Sequence, residues 1–104
     1  MSIETMETNA TKHAIHDKLE SQIKTAEVKL ATLKARAETA KANAEIKAIT
    51  DLLPRKEEIR RKLQELKKTG EDRWEVVKND LTVLIADFEK SIKDIEAKLK
   101  AKAH

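Results

Sequence analysis

Apolar residues recur at alternating spacings of four and three along the first half of the chain, at Leu19, Ile23, Ala26, Leu30, Leu33, Ala37, Ala40 and Ala44. A seven-residue period places them on one narrow stripe of an α-helix, the kind of surface that coiled-coil packing buries. The stripe predicts a first helix over residues 10–52, preceded by a flexible lead over residues 1–9, with Thr8, Asn9 and Thr11 as candidate N-caps. After Ala44 the apolar positions become Ile46, Ala48, Ile49, Leu52 and Leu53, a broader face suited to more than one neighbour.

Pro54 is the strongest break in the pattern, because its ring removes a backbone donor and pushes the preceding residue toward extended conformations. It predicts a turn over residues 50–54; a kinked continuous helix is the alternative. The rhythm returns at Ile59, Leu63 and Leu66, then at Trp74, Val77, Leu81, Leu84 and Phe88, and closes with Ile92, Ile95 and Leu99. The last six of these positions repeat after eleven residues instead of seven, which relaxes a supercoil. A second helix is expected over residues 55–102. The only glycine, Gly70, either sits inside that helix or breaks it at residues 69–72 as a left-handed C-cap.

The expected architecture is therefore all-α: a single domain over residues 1–104 built as a long antiparallel helical hairpin, with Trp74 arriving beside Leu33 and Ala37. Two helices share one seam, and its alanines bury little area, so the hairpin is expected to pair into a homodimeric four-helix bundle covering Ile46, Ile49, Leu53, Val76 and Ile85. The alternative is a three-helix arrangement with the break at Gly70.

Composition agrees with the pattern. Charged residues make up 39% of the chain and aromatic residues 2%, with one Gly, one Pro and no Cys, which leaves little for strands and excludes disulfide and thiol chemistry. The net charge of +3 is too small to argue polyanion binding by itself, but the excess is local: residues 54–70 carry seven basic and three acidic side chains. Glu20 with Lys24, Glu57 with Arg61, Glu58 with Lys62, Glu89 with Lys93, Asp94 with Lys98 and Glu96 with Lys100 are one helical turn apart in the favourable order. The first residues show no basic start followed by an apolar run, and no stretch approaches the length of a membrane span, so the expected location is the cytoplasm.

Three groupings carry candidate chemistry. His13, His16 and Asp17 are spaced to face one side of a helix and are weak candidates for a divalent metal, but with no Cys and only His104 elsewhere the ordinary reading is solvated histidines and no metal site is expected. Arg55, Lys56, Arg60, Arg61, Lys62, Lys67 and Lys68 form a basic run that could contact nucleic acid or an anionic membrane surface, but Glu57, Glu58 and Glu65 interrupt it and no aromatic platform accompanies it. Trp74 and Phe88 fall on the seam and read as core anchors. No arrangement for catalysis and no cofactor motif is present, so an enzyme is not expected.

The run LKKTGEDRWEVVKNDLTVLIADFEKSIKDIEAKLK, following an Ala- and Lys-rich segment, resembles a group of small bacterial all-helical coiled-coil proteins, some of them described as stress-responsive. Gly70, Glu71, Asp72, Trp74 and Glu75 carry the likeness, while Pro54 and the Leu pair before it depart from it. The resemblance implies a bacterial cytosolic helical protein of a group with no established enzymatic activity. The function expected is a structural or protein–protein interaction role, with salt-sensitive polyanion or membrane-surface binding through residues 55–68 as the alternative.

Overall fold

A computed structural model describes residues 9–102, which form three helices and no strand: α1 (Asn9–Thr39), α2 (Asn43–Lys68) and α3 (Glu71–Lys102). The protein is all-α. Of the lead expected over residues 1–9, residues 1–8 lie outside the described residues, and Asn9 already belongs to α1. Short links make successive helices antiparallel, so α1 and α3 run parallel in an elongated bundle of 61 × 21 × 15 Å. Lys12 meets Glu71 at one end, and further along Ala26 and Lys29 border Ile92 and Lys93, which fixes that direction.

The chain makes three passes where the sequence predicted two, because it reverses at residues 40–42 and not at 50–54. Helix α1 ends in a Schellman motif. The Ala42 amide donates to the Ala37 carbonyl at 2.9 Å and the Lys41 amide to the Glu38 carbonyl at 3.1 Å, while Lys41 turns to a φ of 55°. Ala37 and Ala42 are both buried, which supplies the apolar contact that accompanies such a cap. Glycine usually occupies the left-handed position, and lysine there hides the turn from a reading based on composition.

Pro54 lies inside α2, near its middle, and does not end a helix. It cannot donate to the Thr50 carbonyl, but both residues are exposed, so the orphaned acceptor falls on the wet side of the helix. The Thr50 hydroxyl meanwhile donates to the Ile46 carbonyl at 2.9 Å. The second break is at residues 69 and 70, the arrangement held as the alternative. Thr69 closes α2 in an extended conformation with its hydroxyl donating to the Glu65 carbonyl at 2.6 Å. Gly70 does not adopt the left-handed conformation expected of a C-cap. It precedes α3 instead, with its carbonyl accepting from the Arg73 amide at 3.2 Å, and Glu71 and Asp72 face the positive end of the helix dipole.

The seam becomes the core almost throughout. Leu19, Ile23, Ala26, Leu30, Leu33 and Ala37 of α1, Ile59, Leu63 and Leu66 of α2, and Trp74, Val77, Leu81, Phe88, Ile92, Ile95 and Leu99 of α3 are all buried. Ala40 and Ala44 are exposed, because the reversal falls between them, and Leu84 is only half-buried while its neighbour Ile85 takes the core position. The extra pass brings Ile49 and Leu52 into the core, together with the carboxylate-bearing Glu45 in the first turn of α2. Trp74 sits beside Lys12 and Lys78, at the opposite end from the expected Leu33 and Ala37.

Two backbone substitutions test this layout. Pro54→Ala restores a donor in mid-helix and is expected to stabilise the protein by about 1–3 kcal/mol in a urea unfolding curve followed by circular dichroism. A turn at that position would make the same change neutral or harmful. Lys41→Gly relieves a left-handed lysine and is expected to add about 0.5–1 kcal/mol in the same measurement.

Candidate binding site at the His16 and Trp74 end of the bundle

Chemically distinctive side chains collect where the start of α1, the end of α2 and the start of α3 meet. Trp74 lies on the core stripe of α3, and the parallel α1 lays its first turns alongside. The Lys12 ammonium stands 5.5 Å from the indole centroid and that of Lys78 stands 5.8 Å away, both within cation–π range. Each cation also has a carboxylate: Lys12 donates to Glu71, and Lys78 donates to Glu75 at 3.0 Å. A cleft of about 280 Å³ opens beside them, lined by Lys12, His13, His16, Leu66, Lys67, Thr69 and Trp74.

His16 occupies a seam position three residues before Leu19, so helical periodicity carries its ring into the interior, where the side chain retains 9% of its exposure. It is therefore not the solvated histidine that its polarity suggested. Its Nδ1 lies 3.7 Å from Asp17 Oδ1, beyond hydrogen-bond distance. Glu20, one turn further along α1, completes a group in which one ligating atom each from His16, Asp17 and Glu20 lie within 4.8 Å of one another. The structure thus brings together two of the three metal candidates and adds Glu20. His13 is exposed and outside this group, but it lines the same cleft as His16. The spacing of Glu20 four residues after His16 was the available signal, and its role in the surface pair with Lys24 masked it.

The basic run of residues 55–68 does not form one surface. Helical geometry puts Arg55 and Lys62 on one flank of α2, Arg61 and Lys68 on its outer side, and Lys56, Arg60 and Lys67 on the flank toward α1. Arg60 is engaged. Its Nε and Nη2 donate to the two carboxylate oxygens of Glu27 at 3.0 and 2.5 Å, and its Nη1 lies 3.8 Å from Glu20. The hydrogen bond to Glu27 holds the guanidinium pKa above its ordinary value, outweighing the opposing effect of burial. This inter-helical fork was not foreseen, since a separation of 33 residues has no signature in a pattern read one helix at a time. Of the six i,i+4 pairs expected, only Glu20 with Lys24 comes within 4.0 Å among the described residues, at 3.9 Å.

No protein family, curated protein or solved structure matches the chain in comparisons of sequence and fold. Among the described residues, no helix is long and apolar enough to cross a membrane.

The Arg60–Glu27 fork has a measurable energetic signature. A double-mutant cycle of Arg60→Ala with Glu27→Ala is expected to give a coupling of about 0.5–1.5 kcal/mol in urea unfolding, above a typical exposed pair because the contact is bidentate and partly shielded. The coupling should shrink as salt is added.

Proposed function

We propose that the chain is a structural and protein–protein interaction module, without a catalytic role, that acts through the outside of a self-contained three-helix bundle. The observation that carries this reading is the closure of the core within one chain. The case for a dimer rested on Ile46, Ile49, Leu53, Val76 and Ile85; the third pass buries Ile49 and Ile85 and packs Ile46 against the core, leaving Leu53 and Val76 exposed. With Val28 and Val83, these are the large apolar side chains exposed among the described residues. Val76 and Val83 stand seven residues apart on the outer side of α3, 54% and 59% exposed.

A standard interface removes about 800 Å² from each partner, and a few separated valines provide a small share of that. The outer face therefore suits a weak, reversible helical partner better than a permanent second copy. The distribution of basic residues around α2 gives no comparable support to polyanion binding. A tie to a bacterial stress response rests only on the likeness carried by Gly70, Glu71, Asp72, Trp74 and Glu75.

Light scattering behind a sizing column is expected to give one species near 11.8 kDa at both low and high salt. A salt-stable species of twice that mass would overturn the self-contained module. A photo-crosslinking side chain at Val83 should then yield discrete protein adducts that the same group at a position away from this face does not, and an absence of adducts would count against an interaction role for α3.

A further inference from the structure

We propose that the first turns of α1 form a binding site for a divalent transition-metal ion of the zinc type, ligated by His16, Asp17 and Glu20, with His13 as the neighbouring donor. Residues 13, 16, 17 and 20 follow the i, i+3, i+4, i+7 spacing, so one stripe of one helix carries all four potential ligands. Rigid backbone holds their Cβ positions, and only side-chain rotation is required to gather them.

The second observation is the state of His16. Its imidazole is nine-tenths removed from solvent and borders the cleft, yet among the described residues it makes no hydrogen bond to the protein, and its Nδ1 lies 3.7 Å from Asp17 Oδ1. Among the described residues no side-chain nitrogen or oxygen is fully buried without a hydrogen-bond partner, so the ring nitrogens of His16 stay open to the cleft and accessible to an entering ion. The distances suit a metal. In a tetrahedral site with bonds of about 2.0–2.1 Å, ligand atoms sit about 3.3 Å apart. His16 Nδ1 and Asp17 Oδ1 are 3.7 Å apart, and Glu20 has the reach to close the remaining gap from within 4.8 Å.

Glu20 is able to do so. Its carboxylate lies 3.9 Å from the Lys24 ammonium and 3.8 Å from Arg60 Nη1, so neither contact is a short charge-assisted bond, and Arg60 keeps its fork to Glu27 if Glu20 turns away. One imidazole nitrogen and two carboxylate oxygens favour zinc, nickel or cobalt over magnesium or calcium, which prefer all-oxygen shells.

Calorimetric titration of zinc chloride into the full chain at neutral pH tests the site. The expected result is one saturable ion per chain, with affinity falling about tenfold or more in Glu20→Gln and in Asp17→Asn, and by a smaller factor in His13→Gln. His16→Gln should remove binding, but it alters the core, so the test rests on the two carboxylate variants, checked for unchanged helicity. Proton NMR of the imidazoles supplies a second readout, in which zinc should perturb His16. Non-saturable binding, an affinity unchanged in both carboxylate variants, or perturbation confined to His13 and His104 would each overturn the assignment.

Discussion

The reversal at Ala40, Lys41 and Ala42 determines which apolar side chains can meet. A helix with one narrow apolar stripe gains little stability alone, since its stripe must be covered along its length by other helices. By turning after Thr39, the chain cuts itself into passes of 31, 26 and 32 residues, three stripes of similar length that close on one another. A turn about ten residues later would leave two longer stripes facing each other, with Ile49 and Ile85 uncovered. The lysine in a left-handed conformation is a local cost of about 1–2 kcal/mol, offset by the apolar surface that this register buries.

That reversal is also where sequence reading and structure part. Periodicity alone identified the helical class and nearly every core residue, because the spacing of Leu19, Ile23 and Leu30, or of Leu81, Phe88 and Ile92, depends only on helix geometry. Locating the breaks required chemistry that the residues carry ambiguously. Proline at position 54 signals an ending from its missing donor, yet the same ring is tolerated where the orphaned carbonyl faces water. Ala40, Lys41 and Ala42 carry no sign of a turn, since alanine is the best helix former and lysine is a good one. Gly70 did mark a boundary, but as the residue before α3 and not as a left-handed cap.

The candidate site was legible in part. The spacing of His13, His16 and Asp17 placed them on one helical face, but the depth of each depended on where that face points, which the neighbouring helices decide. His16 continues the heptad stripe toward the start of α1, although its polarity suggests a wet position. The Arg60–Glu27 fork lay beyond reach for a related reason: it joins residues of different passes, and the pairing of passes depends on the hidden turn. Surface charges within one helix, by contrast, were easy to pair on paper and mostly remain apart in the fold, in keeping with the small energy each such pair contributes.

Three passes have a geometric consequence that two would not. An even number of antiparallel helices brings entry and exit to the same end, whereas an odd number separates them by the length of the rod. The start of α1 lies at the Trp74 end and the last turn of α3 at the Ala42 end, a span of about 47 Å at the rise of an α-helix. Whatever is joined to the two sides of this bundle is therefore held apart, and mechanical tension along the chain would load the three helices in shear instead of unzipping a hairpin from its open end toward its turn.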